Sequence, residues 1–144
     1  AETDISSWPV MGNIGGTFYF LPESGQLMGS PADQSASPPC DARPDELDIA
    51  TAIYRIEQHT QLKIKKVNHS WAGLRTFSPD RLPVIGFEPL AEDFFWFVGQ
   101  GGFGIQTAPA LARLGAALLL DKSPKSTADD LNVDLALLLP DRFR

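Results

Sequence analysis

Gly99-Gln100-Gly101-Gly102-Phe103-Gly104 has the spacing G-x-G-x-x-G, follows the apolar run Phe94 to Val98 and leads into a helix-like run. This spacing serves a nucleotide phosphate when it joins a strand to a helix and a second strand carries an acidic residue about 20 positions on. Asp121 has the right separation, but it follows Leu118-Leu119-Leu120 at the end of the expected helix, and no convincing second strand precedes Pro140. A dinucleotide-binding unit is therefore a poor reading of the pattern. Two others stand. One is a tight packing turn between strand and helix, with no ligand. The other is a turn whose glycines let backbone approach a flat ligand, while the helix behind it aims free N–H groups and its positive end at an electron-rich atom.

A phosphate would satisfy that second geometry, and so would a reduced flavin ring, which gains negative charge around N1 and the C2 carbonyl. Gln106, in the first turn, is placed to add an amide contact. Arg75 follows Trp71-Ala72-Gly73-Leu74 in a segment otherwise without charge. Its planar fork matches two carboxylate oxygens and keeps its charge at all working pH values. The partner is either a substrate carboxylate or a protein group such as Asp80. Tyr19 lies between Phe18 and Phe20, so strand alternation turns it to the opposite sheet face. It is either a half-buried aromatic or an apolar cavity wall with one hydrogen bond to offer.

These residues need a scaffold of one ordinary domain's size: the chain has 144 residues and a net charge of -6. Its acidic residues are scattered and no basic stripe is present, which argues against nucleic acid as a partner. Lys63-Ile64-Lys65-Lys66 is the one basic run and reads as a solvated strand or turn. Cys40 is the single cysteine, compatible with a reducing compartment, and a cytoplasmic location is expected. His59 and His69 lack metal-ligand spacing, so no metal is assigned. No apolar stretch approaches the roughly 18 residues of a membrane span, so no transmembrane segment is expected. Ala1-Glu2-Thr3-Asp4 lacks a signal-peptide layout, and a start at Ala1 is what an excised piece of a longer chain would show.

The element pattern predicts an α+β fold with a mixed or antiparallel sheet and two main helices. Thr17 to Leu21 and Gln26 to Gly29 read as a hairpin around Pro22-Glu23-Ser24-Gly25. Ser30 to Arg43 is a proline-rich surface loop. A helix is expected over about residues 44–60, with Leu47, Ala50, Ile53, Tyr54 and Glu57 on one face. Lys63 to Ser78 and Pro83 to Phe87 read as strands, and Phe94 to Val98 as a strand covered on both faces. Thr107 as a cap and Pro109 in a first turn announce a helix running to about Asp121 through Leu111, Leu114, Leu118 and Leu119. Lys122 to Asp130 reads as a polar linker and Leu131 to Leu139 as a short apolar tail. The first dozen residues show no clear pairing partner.

Three motifs in this order and spacing carry a family resemblance. They are Trp71-Ala72-Gly73-Leu74-Arg75, then Ser78-Pro79-Asp80-Arg81-Leu82-Pro83-Val84-Ile85-Gly86, then Phe94-Phe95-Trp96 leading into Gly99 to Ala110. Together they resemble the C-terminal signature of the D-amino-acid oxidase family of FAD-dependent oxidoreductases. The likeness is strongest to bacterial D-amino-acid dehydrogenases of the D-arginine type, through Phe18-Tyr19-Phe20 and Pro44-Asp45-Glu46-Leu47-Asp48-Ile49-Ala50.

The resemblance implies hydride transfer from the α-carbon of an amino acid to flavin N5, giving an imino acid that water hydrolyses to a 2-oxo acid. It implies that Arg75 grips the substrate carboxylate and that Tyr19 lines the substrate pocket. Gly101, Gly102, Phe103, Gly104, Ile105 and Gln106 would contact the flavin ring, with Gly102 and Gln106 also approaching substrate. Phe103 stands where similar dehydrogenases often have Tyr. Orientation by Arg75 and charge stabilisation by the helix beginning near Gly104 would be the protein's share, with no acid or base among these residues.

Family members are well over twice this length and bind the ADP portion of FAD in an N-terminal Rossmann half. That half is the expected partner of this chain, which alone should neither retain FAD nor turn over substrate. On this basis residues 1–98 belong to the substrate-binding domain, 99–121 form the flavin-contacting turn and helix, and 122–144 are a C-terminal tail. The competing functions are a stand-alone carboxylate-binding module and a structural interaction domain, both without redox activity.

Overall fold

In a computed structural model, which describes residues 4–91, 93–120 and 122–144, the chain divides into two compact units, Ala1–Leu74 and Arg75–Arg144. Both are built from helices and antiparallel strands, so the fold class is α+β.

The first unit is a three-stranded sheet with one helix. Strands β1 (Met11–Gly12), β2 (Tyr19–Glu23) and β3 (Gln26–Ser30) are neighbours in that order. Glu23 pairs with Gln26, leaving Ser24 and Gly25 as a two-residue loop with φ of 49° and 76°. Positive φ at both central positions is the geometry whose twist matches the flanking strands, and this fixes the register. Alternation then buries Phe18 and Phe20 and turns Tyr19 to the exposed side. The early segment is not without a partner as expected: Met11 pairs with Phe20 and Gly12 with Tyr19.

Helix α1 (Glu46–His59) starts after Asp45, whose carboxylate accepts from the backbone N–H of Leu47 at 2.7 Å and of Asp48 at 3.4 Å. Pro44 therefore lies outside the helix, not in its first turn. The buried face also differs from the expected one. Ala52 and Ile56 are buried, whereas Leu47 and Tyr54 point to solvent. Ile49, Ala52, Ile53 and Ile56 share the same helical spacing, and the contact of Ile56 with Phe18 and Phe20 decided between the two faces. Leu62 and Ile64 complete this core, together with Trp8, Met11 and Leu27.

Lys63 to Ser78 does not form the expected strand. β propensity cannot supply ladder hydrogen bonds without a neighbouring strand, and the backbone here finds other partners. Ile64 N–H donates to Glu57 at 2.8 Å, and only Phe77 reaches a bridge, to Gln100.

The second unit pairs β4 (Val84–Phe87) with β5 (Phe95–Val98), antiparallel, with Ile85 opposite Phe97. Helix α2 (Gly104–Leu119) packs Leu111 and Leu114 on Ile85. Residues expected to be linker form a short helix, α3 (Pro124–Asp130), with Pro124 in its first turn and Ala128 buried. The expected tail is core as well: Leu138 is buried, its carbonyl accepts from Ile85 N–H at 2.8 Å, and 3-10 turns at Leu135–Leu137 and Pro140–Phe143 flank it. Strand β5 is not covered on both faces, since Phe97 and Val98 are exposed. No helix among the described residues is long and apolar enough to cross a membrane.

Candidate flavin and carboxylate site

Strand β5 ends at Val98, and the chain turns sharply through Gly99 and Gly101, with φ of 74° and 55°, before entering α2 at Gly104. The helix starts earlier than Thr107. Its N-cap is Phe103, which has no capping side chain, and Thr107 Oγ1 donates back to the Phe103 carbonyl at 2.8 Å. Pro109 accordingly sits inside the helix. The position of Asp121 lies outside the described residues.

Two consequences follow for chemistry. The first-turn N–H groups of a helix have no intrahelical acceptors, and α2 carries neither a capping side chain nor an acidic residue to occupy them. That end is thus open to an electron-rich ligand. Phe103 and Ile105 are 60% and 96% exposed, and Gln106 is exposed in the same turn. These residues offer apolar contact and hydrogen-bond donors side by side, as a flat heteroaromatic ring requires.

Arg75 belongs to the same construction. Thr76 accepts from Gly101 N–H at 3.1 Å, and Phe77 bridges Gln100, so residues 75–77 run along the glycine turn. The Arg75 guanidinium lies over Gly102: a Cβ there would sit 2.9 Å from Nη1. Gly102 therefore leaves room for the cation at the mouth of the turn. Asp80 is held by Arg142, Ser78 and Leu82. Its Oδ2 accepts from Arg142 Nε at 2.6 Å, and its Oδ1 from Arg142 Nη2, Ser78 Oγ and Leu82 N–H. Within the second unit the structure brings together Arg75, Gly101, Gly102, Phe103, Gly104, Ile105 and Gln106. Tyr19 belongs to the first unit, on β2.

The Arg142 clamp was not visible in the sequence, where the C-terminal residues read as a tail. It ties the last 3-10 turn to the loop that follows Arg75, and Arg144 does the same for Glu88 at 2.6 Å. The hydrogen bond from Arg142, reinforced by Leu82 N–H and the Ser78 hydroxyl, holds the Asp80 carboxyl well below the usual carboxylate range. A carboxyl depressed in the fold stabilises above its unfolded pKa, and that stabilisation is lost as the pH falls. Thermal stability should therefore drop below about pH 4. Asp80→Asn should be less stable at neutral pH and show a shallower acid decline in melts recorded across this range. An unchanged acid slope would remove Asp80 from the explanation.

A family profile described as FAD dependent oxidoreductase matches residues 1–118. The chain belongs to this family, the DAO family. It is 35% identical over 69 residues to the FAD-dependent oxidoreductase domain-containing protein 1 of Xenopus laevis, covering 47% of this chain and 13% of that protein. It is 36% identical over 64 residues to the D-amino acid dehydrogenase of Neisseria gonorrhoeae, in two strains, covering 44% of this chain and 15% of the relative. The matched stretches are thus a small part of these relatives' lengths. DAO proteins are FAD-dependent, and the open end of α2 with its glycine turn fits the ring portion of that cofactor.

Proposed function

We propose that this chain is the part of a DAO-family enzyme that holds the substrate carboxylate and supports the flavin ring. The reaction would be oxidation of the C–N bond of a D-amino acid to an imino acid, then hydrolysed to a 2-oxo acid. The observation that carries this reading is the placement of the Arg75 guanidinium over Gly102, beside an uncapped helix N-terminus. The name of the Neisseria relative favours the D series. FAD, when bound, supplies the two-electron acceptor for the substrate hydride.

Arg75 takes both carboxylate oxygens and so fixes which face of the α-carbon is presented. Gly102 leaves the space in which the carboxylate and cation meet. The first-turn N–H groups of α2 would stabilise negative charge on the ring, and Phe103, Ile105 and Gln106 would help to hold it. In this reading residues 1–98 belong to the substrate-binding domain, 99–121 support the ring and 122–144 brace that support. A cytoplasmic setting, compatible with the exposed thiol of Cys40, belongs to the same proposal.

The ADP half of FAD then needs protein outside this chain. The purified chain should be colourless after incubation with FAD and gel filtration, and inactive toward D-amino acids with an artificial electron acceptor. A longer protein that includes an N-terminal Rossmann half should be yellow and active. A stable 1:1 yellow complex of the 144-residue chain would defeat this division of labour.

A further inference from the structure

We propose that Phe77 is the positioning residue for Arg75, holding its guanidinium at the mouth of the glycine turn; this rests on the carboxylate role of Arg75 given above. The ring of Phe77 lies directly on the turn. A Cβ at Gly101 would be 2.6 Å from Phe77 Cε1 and 2.9 Å from Cδ1, so only a residue without a side chain permits the contact. Gly101 also has φ of 55°, a left-handed conformation that glycine adopts without cost. The backbone reinforces the placement from both sides, through the Gly101 N–H to Thr76 bond at 3.1 Å and the Phe77 to Gln100 bridge.

Seated there, the ring carries two cations. The guanidinium carbon of Arg75 is 5.9 Å from its centroid and that of Arg81 is 5.2 Å away. Both distances are within the reach at which a guanidinium is attracted by an aromatic ring. The Phe77 ring and the space at Gly102 are among the contacts that limit the rotamers of the long Arg75 side chain. Phe77 touches neither substrate nor flavin in this scheme. It acts by lowering the ordering cost that carboxylate binding must meet.

The test uses the FAD-loaded enzyme carrying Phe77→Leu, Arg75→Met, or both. Phe77→Leu should raise KM for the amino acid about 10-fold with kcat and flavin content retained. In the Arg75→Met background the same change should cause no further loss of kcat/KM, because the two residues act through one contact. Phe77→Met serves if the leucine variant does not hold flavin. Wild-type KM in Phe77→Leu, an equal loss in both backgrounds, or loss of flavin in both Phe77 variants would overturn the positioning role. Wild-type kinetics in Arg75→Met would instead overturn the carboxylate role on which it rests.

Discussion

Replacing Arg75 with Met in the FAD-loaded enzyme should raise KM for the amino acid by roughly 100-fold or more, as expected when two charge-assisted hydrogen bonds are lost. The flavin spectrum should be unaltered, because the Arg75 guanidinium lies over Gly102 and takes no part in the ladder of β4 and β5 or in the core under α2. The carboxylate is held before and during the reaction, so the loss should fall mainly on KM with a smaller effect on kcat. An amine lacking the α-carboxylate should be handled equally, and poorly, by wild type and variant. Unchanged turnover of amino acids by Arg75→Met would refute the carboxylate assignment.

Leu114→Ala should lower the unfolding free energy of the chain by about 3 kcal/mol, the middle of the range for a leucine removed from a rigid core. Leu114 is 1% exposed and packs with Ile85, Leu111, Ala128 and Leu138, residues drawn from β4, α2, α3 and the C-terminal segment. The cavity would open where all these elements meet. Urea unfolding followed by circular dichroism should show a lower midpoint with the slope retained. By contrast, Leu119→Ala on the same helix should have little effect, since Leu119 is 52% exposed. Equal midpoints for Leu114→Ala and the parent chain would mean that this cluster does not hold the second unit together.

Much of the fold could be read from local chemistry. The hairpin was legible because Pro22-Glu23-Ser24-Gly25 punctuates a run dense in β-branched and aromatic residues, and α1 because its apolar residues recur at helical spacing after Pro44-Asp45-Glu46. Features that depend on distant partners were not. The segment 63–78 has strand composition but, among the described residues, pairs only at Phe77, with Gln100. The buried face of α1 was a choice between two stripes of equal period, settled by Phe18 and Phe20. Helix α3 was hidden by its polar residues, although Pro124 at its start was a usable signal. Thr107 was read as a cap because Phe103, the residue that caps α2, has no polar side chain, whereas the start near Gly104 implied by the resemblance is the observed one.

The site divides in the same way. Spacing was enough to single out the glycine turn and Arg75, and their proximity through Thr76 and Gly102 followed from the fold. Phe77 and Arg142 gave no comparable signal. Phe77 depends on a single bridge to Gln100, and Arg142 pairs with an acid, Asp80, far away in the chain.

The most direct test of the central claim is anaerobic mixing of the FAD-loaded enzyme with a D-amino acid while the flavin absorbance is followed. The absorbance should bleach with the D-amino acid, fail to bleach with the corresponding amine, and bleach in Arg75→Met only at far higher amino-acid concentration. Flavin that stays oxidised with every D-amino acid tried, or that bleaches equally well in Arg75→Met, would contradict it.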